Sequence, residues 1–290
     1  MTGQNASESD AVPRACVIGW PVEHSRSPLI HEWWLKELGL PGRYEKRAVP
    51  PGELREFLLS LPRSGRRGCN VTVPHKEAAF RILRDAGAVI HDAARRLAAV
   101  NTVWLEGDRL HADNTDVHGF MANFRAHCPD WRPREHGNVL VVGAGGAARA
   151  VVAAFLEAGA ENVTVANRTV EKAERLAEDL GPGVTAIPFD DAAGRLPETD
   201  VLVNATTLGM EGRPPLPLDI AALPAHAIVA DIVYVPLRTP LLAAAAARGL
   251  RTVEGLGMLL HQAVPGFEKW FGRRPRVTEA LYRHLAADLE

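Results

Sequence analysis

The sequence predicts an α/β protein of two domains, on three observations. Beyond residue 138, short apolar runs alternate with helical stretches in the rhythm of βαβ units, which calls for a parallel sheet covered on both faces. Residues 128–137 are polar and carry two prolines, a seam before that rhythm begins. At 290 residues the chain is long for one hydrophobic core and comfortable for two.

The elements follow in order. Residues 15–18 form a short apolar run closed by Gly19, a buried strand. Ser27 at the N-cap, Pro28 at N1 and Gly39 as the stop delimit a helix over 27–38. A second helix over 53–60 follows Pro50-Pro51-Gly52. Residues 68–73 read as a strand running into Pro74 and a helix through Leu83. Residues 100–105 and 110–113, joined by Glu106-Gly107-Asp108-Arg109, read as a hairpin. Asn114-Thr115-Asp116 then caps a helix through Ala126. In the second half, strands are expected at 139–142, 163–166, 184–187, 201–204, 228–232 and 251–253. Helices are expected from the glycine-rich turn at 143–146 to Gly159, over 170–180, and at the alanine run 243–247. Two last helices, 258–270 and 278–289, fall outside the βαβ rhythm and are free to return to the first domain. The expected division is a flexible tail over 1–14, a first domain of 15–116 plus 256–290, and a second of 117–255.

Composition removes several function classes. A chain 47% hydrophobic and 23% charged is globular, neither disordered nor fibrous. A formal net charge of −2 gives no global pull toward nucleic acid or an anionic membrane. No apolar run reaches the roughly 18 residues of a membrane span. The polar N-terminus lacks an apolar core and reads as a loose tail, not a signal peptide. Cys16, Cys69 and Cys128 are scattered and odd in number, against a disulfide framework. A cytoplasmic protein, monomeric or homodimeric, is expected.

Gly143-Ala144-Gly145-Gly146-Ala147-Ala148 sits between a strand and a helix and matches G-x-G-x-x-A. The first glycine makes the tight turn, and the second lets backbone approach a pyrophosphate. The small residue at the end lets helix and strand pack closely, while the helix N-terminus attracts phosphate. In this setting the motif predicts a Rossmann-like dinucleotide-binding domain over a ligand-free glycine turn. An NAD site wants an acid at the end of the next strand to hold the ribose 2′-OH. Here that strand ends Asn167-Arg168-Thr169, with no carboxylate. Arg168 offers a fork of donors suited to a 2′-phosphate, and Thr169 adds a hydroxyl while also standing where the next helix would be capped. NADP is favoured.

In the first half, Ser25 and Ser27 put two hydroxyls at a helix start, where free N–H groups and the positive dipole end favour an anion. Ser27 alone would also serve as a plain cap. Asn70 and Thr72 share one face of a strand, and Lys76 follows in the first turn of the next helix. Cations are unwelcome there, and the same field eases loss of the ammonium proton, which suits proton transfer. Asn101 and Asp116 lie on the two arms of the hairpin, so they can converge. Asp116 reads either as a cap or as a counter-ion for Lys76. Histidines 24, 31, 75, 111 and 118 show no metal-ligand spacing, so no metal is expected.

At these motifs the chain resembles the shikimate dehydrogenase family over nearly its whole length after the tail. The matching stretches include Gly19-Trp20-Pro21-Val22-Glu23-His24-Ser25-Arg26-Ser27-Pro28, Asn70-Val71-Thr72-Val73-Pro74-His75-Lys76 and Val100-Asn101-Thr102. Asp113-Asn114-Thr115-Asp116, the glycine motif, Asn167-Arg168-Thr169, Asn204-Ala205-Thr206, Asp231-Ile232-Val233-Tyr234 and Gly257-Met258-Leu259-Leu260-His261-Gln262-Ala263 follow in the same order. The resemblance implies reversible NADPH-dependent reduction of 3-dehydroshikimate to shikimate, in chorismate and aromatic amino-acid biosynthesis. It implies an active site in the cleft between two α/β domains, the C-terminal helices returning to the first. It assigns Lys76 and Asp116 as the acid/base pair and Ser25 and Ser27 as carboxylate binders. Asn70, Thr72, Asn101, Tyr234 and Gln262 would hold ring hydroxyls or carboxylate. Thr206, Gly255 and Met258 join the glycine motif, Asn167, Arg168 and Thr169 on the NADP side. Two departures are visible: Ala112 where a glycine is common, and Val117-His118 in place of a glycine-containing pair. Quinate/shikimate and aminoshikimate dehydrogenases, and a non-catalytic metabolite-sensing relative, are the alternatives. Paired serines and Asn-Arg-Thr lean toward shikimate and NADP.

Overall fold

Apolar strand runs from the two halves of the chain go into separate sheets. The computed structural model describes residues 12–133 and 137–289. Residues 1–11 of the expected tail and 134–136 of the expected seam lie outside the described residues, and Arg14 already belongs to a strand.

The first sheet is built from β1 (Arg14–Gly19), β2 (Arg43–Ala48), β3 (Gly68–Val71), β4 (Val89–Ile90), β5 (Thr102–Glu106) and β6 (Arg109–Asp113). Its order is β2-β1-β3-β5-β6-β4, with β5 antiparallel to both neighbours and every other pair parallel. Around it run α1 (Ser27–Glu37), α2 (Leu54–Ser60), α3 (Lys76–Asp85) and α4 (Asp92–Leu97). β2 was not expected from the sequence. Its residues are Arg-Tyr-Glu-Lys-Arg-Ala, of which only Tyr44 is buried, because an edge strand is blunted with charge and shows no apolar run. β4 and α4, two and six residues long, also escaped, being too short for a periodic signal. α1 starts at Ser27 itself, so Arg26 occupies the cap position expected for Ser27, and Pro28 sits one place later than N1. Likewise Thr115, not Asp116, stands at the cap of the helix that follows β6.

That helix, α5 (Asp116–His127), leads to the second sheet: β7 (Asn138–Val142), β8 (Asn162–Asn167), β9 (Val184–Pro188), β10 (Thr199–Asn204), β11 (Ile228–Asp231) and β12 (Arg251–Val253). All its pairs are parallel and the order is β12-β11-β10-β7-β8-β9, the doubly wound arrangement in which the strand order reverses beside β7. Covering helices are α6 (Gly146–Glu157), α7 (Val170–Leu180), the short α8 (Ala192–Arg195) and α9 (Pro240–Ala247). β7 shows why these strands read as unbroken apolar runs. Val139 and Val141 enter a core with Val151 and Phe155, while Leu140 and Val142 enter another with Leu241 and Leu242.

α10 (Leu256–Phe271) and α11 (Glu279–Leu289) return to the first lobe, where Leu260, Phe267, Leu281 and Leu285 share a core with Ile30 and Trp34 of α1. α10 also crosses α5 at two glycines. A methyl at Gly119 would stand 2.6 Å from Gln262 Cβ, and one at Gly257 would overlap Asn123. Asn123 in turn donates from Nδ2 to the Glu254 carbonyl, 2.7 Å. The other face of α5 places Val117, Phe120 and Phe124 in the core of the second sheet, so this one helix belongs to both lobes.

Candidate active site

The hydrogen-bond register of the first sheet sets the site. Asn70 of β3 pairs with Thr102 of β5, which pairs with Asp113 of β6, so the residues just beyond these strand ends meet at one edge. Lys76, the first residue of α3, reaches Asp116, the first residue of α5: Lys76 Nζ donates to Asp116 Oδ2 at 2.6 Å. The other carboxylate oxygen accepts from Asn101 Nδ2 at 2.8 Å. Asn101 is held in turn, its Oδ1 accepting from the Thr115 N–H at 2.8 Å. The Asp116 N–H donates to Asn114 Oδ1 at 3.0 Å. A charge-assisted contact this short, on a carboxylate whose second oxygen is also occupied, fixes the amine in one place. The cation that opposed the α3 dipole is thereby compensated.

This pair lies in an interlobe cleft of about 380 Å³, within the usual range for small-molecule sites. Ser25, Ser27, Asn70, Thr72, Asn101, Tyr234 and Gln262 line it together with Lys76 and Asp116, so every expected substrate-side residue faces one cavity. Ser25 and Ser27 are neighbours, with 3.3 Å between their hydroxyl oxygens. Arg26 between them is anchored to Asp288 of α11, 2.8 Å. Burial pushes the Tyr234 phenol up, with the Arg26 guanidinium acting against it. Gln262 Nε2 donates to the Leu259 carbonyl, 3.0 Å. Thr72 stands one residue beyond β3, its backbone still bonded to Ile18.

Ala147, Gly255 and Met258 also line the cleft, while Gly143, Asn167 and Thr206 stand at or just beyond the ends of β7, β8 and β10. Gly143 follows β7 with φ +114°, and a Cβ there would stand 2.9 Å from the Ala205 carbonyl oxygen and 3.1 Å from Thr206 Cγ2. Gly145 and Gly146 open α6, and a Cβ on either would meet nothing within 4 Å. Ala144 precedes them, and Ala148 is fully buried where helix meets strand. A cradle of bare backbone facing open space at a helix start, at the point of strand-order reversal, fits the pyrophosphate of a dinucleotide. Asn167 Nδ2 donates to the Thr169 carbonyl at 2.8 Å, and Arg168 and Thr169 are exposed beside it. Thr206 is braced by Asn204, whose Oδ1 accepts from its hydroxyl at 2.7 Å. Asn204 Nδ2 donates to buried Asp231, which also accepts from Thr239, so a closed polar network holds the loops after β10 and β11. Burial pushes the Asp231 carboxyl up, while bonds from the Val233 N–H, Thr239 and Asn204 oppose it. Among the described residues no group of three or more His, Cys, Asp or Glu is disposed to hold a metal. No helix there is long and apolar enough to cross a membrane.

Two residues behind the site escaped sequence reasoning. Tyr44 donates to Asn70 Oδ1 at 2.6 Å, and His31 stacks on the Tyr44 ring with centroids 3.9 Å apart. The buried stripe Ser27, Ile30, His31, Trp34 and Leu35 on α1 was the available signal for His31. Tyr44, inside a charged edge strand, gave none.

Three family models match: the shikimate dehydrogenase substrate binding domain over 17–103, shikimate/quinate 5-dehydrogenase over 132–209, and the shikimate 5′-dehydrogenase C-terminal domain over 255–281. A protein of Afipia carboxidovorans named shikimate dehydrogenase (NADP(+)) is 52% identical over 278 residues, 96% of this chain and 98% of that one. The crystal structure of shikimate 5-dehydrogenase from Thermus thermophilus in complex with NADP(H) and shikimate superposes with a TM-score of 0.82 at 38% identity, covering 96% of this chain and all of the other. Quinate dehydrogenase from Corynebacterium glutamicum in complex with NAD reaches 0.87 at 29% identity, covering 95% and 99%. Matched at both lobes and at the returning helices, the chain belongs to the shikimate dehydrogenase family.

Proposed function

We propose that this protein is an NADP-dependent shikimate dehydrogenase, interconverting 3-dehydroshikimate and shikimate in the cytoplasm. The observation that carries this reading is the 2.6 Å Lys76–Asp116 contact in a cleft also lined by Ala147 and Gly255 of the dinucleotide-binding lobe. A dinucleotide held by the second lobe would supply the hydride chemistry. The protein's part is to orient the substrate and move one proton. Lys76 Nζ holds that proton at the reacting oxygen, stabilising the charge that develops there, and Asp116 aims the amine. Ser25, Ser27 and Tyr234 bind the carboxylate, and Asn70, Thr72, Asn101 and Gln262 bind the ring hydroxyls. Residues 15–116 with 256–290 act as the substrate lobe, and 117–255 as the NADP lobe.

On the cofactor side, Gly143 to Ala148 would cradle the pyrophosphate, while Asn167, Arg168 and Thr169 would hold the 2′-phosphoadenosine and Thr206, Gly255 and Met258 the nicotinamide end. Arg168→Ala is expected to raise the KM for NADP by about 10-fold or more with the KM for NAD nearly unchanged, since a lost charge-assisted phosphate contact costs about 1.5–3 kcal/mol. Steady-state KM values for both cofactors check this, and an unchanged ratio refutes the assignment. Quinate with NAD is the competing reading, favoured by the likeness to the Corynebacterium enzyme. The lack of an acid at the end of β8 counts against NAD, and the Lys76–Asp116 pair counts against a non-catalytic sensor. Assaying shikimate and quinate against NADP and NAD, in all four pairings, tests the proposal. The highest kcat/KM is expected for shikimate with NADP.

A further inference from the structure

We propose that Tyr44 is a positioning residue for substrate binding, acting through the amide of Asn70. This rests on the reading of the cleft as a shikimate site. Asn70 is nearly buried, with only part of its amide facing the cleft. Its Nδ2 donates to the Asn101 carbonyl at 3.1 Å and to Thr102 Oγ1 at 3.2 Å, which uses both of its hydrogens. Its Oδ1 accepts from the Tyr44 hydroxyl at 2.6 Å. The reverse amide orientation would set two carbonyl oxygens against each other at Asn101, so the orientation is fixed. What remains for a ligand is one lone pair on Oδ1. Asn70 therefore meets a substrate as an acceptor, and its partner is a ring hydroxyl rather than the carboxylate.

Tyr44 determines where that lone pair lies. The phenol is 3% exposed and its ring is clamped face to face against His31 of α1, the rings 15° from parallel. His31 is fully buried and packed edge-on by Trp34, with the Asn70 side chain beside its ring. Burial pulls the imidazole down to about 3, so it stays a neutral plate, and burial pushes the phenol up, so it stays a donor. The polar line runs on from Asn70 through Thr102 Oγ1, which donates to Asn101 Oδ1 at 2.9 Å, to Asp116 and Lys76. An edge strand thus reaches the reacting groups through three side chains without touching the substrate itself.

Tyr44→Phe keeps the ring and its stack but removes the donor. The expected result is a KM for shikimate raised about 5- to 20-fold, the scale of one hydrogen bond to an amide lost or misplaced. The KM for NADP and the melting temperature should hold, with kcat changing less than KM. In a double-mutant cycle the effect should vanish in an Asn70→Ala background, which a purely structural role for the phenol would not produce. A shikimate KM within twofold of wild type, or additive effects, overturns the proposal. If the wild-type chain does not oxidise shikimate, the functional reading has failed instead. Should Tyr44→Phe not fold, the wild-type chain labelled with 3-fluorotyrosine gives a second readout. With three tyrosines, the Tyr44 resonance is assigned by elimination using Tyr234→Phe and Tyr282→Phe. It should shift on adding shikimate and not on adding NADP alone, and an indifferent resonance overturns the proposal.

Discussion

Replacing Lys76 by alanine is expected to lower kcat for shikimate oxidation by about two to four orders of magnitude while NADP still binds, the range of a lost general acid/base. The amine makes its charge-assisted bond to Asp116 and faces the cleft, and nothing else among the lining residues supplies an ammonium at that point. The dinucleotide cradle lies on the other lobe and keeps its geometry, so cofactor binding is the internal control. The fold should survive, since Asp116 retains its bond from Asn101 and is not left without a partner. Single-turnover and steady-state rates, read beside NADP titration, check this. Turnover within tenfold of wild type would remove Lys76 from the proton-transfer role.

Gly143→Ala should strike the other half of the reaction. The residue holds φ at +114°, and an added methyl would press on the Ala205 carbonyl at 2.9 Å as well as on Thr206. Left-handed strain in a non-glycine residue and overpacking against backbone each cost about 1–3 kcal/mol. The strain falls on the loop that must approach phosphate, so NADP affinity is expected to drop about 100-fold, equivalent to about 2.7 kcal/mol. Isothermal titration with NADP gives the number, and circular dichroism shows whether the second sheet persists. Gly145→Ala makes the informative contrast. No protein atom stands in its way, so a loss of NADP binding there reports on the ligand's own need for bare backbone.

The second lobe was almost fully legible in the sequence because a parallel sheet buried on both faces must write each strand as an apolar run, as β7 and β10 do. The first lobe was less so. β2 hides its single buried residue among charges, and β4 is held in place by β6 with little local signal of its own. The site was legible residue by residue but not as a constellation. Lys76 and Asp116 are 40 positions apart, and only the register of β3, β5 and β6 brings them together. The helix start at Ser27 was misjudged by one place, because it uses no side-chain cap and the usual polar signature marked the neighbouring position, whereas Asn114-Thr115-Asp116 did contain the cap of α5. Tyr44 lay beyond reach because its contact is made through the sheet, not along the chain.

The crossing of α5 and α10 at Gly119 and Gly257 makes the two helices a single spine with no slack between its members. Asp116 is the first residue of one helix, and Met258 and Gln262 stand on the other, so the carboxylate that holds Lys76 and part of the opposing cleft wall are cut from the same piece. A methyl at either glycine would act as a wedge, displacing both reaction partners at once. The bareness of these two positions therefore serves the alignment of the site, although neither glycine lines the cleft.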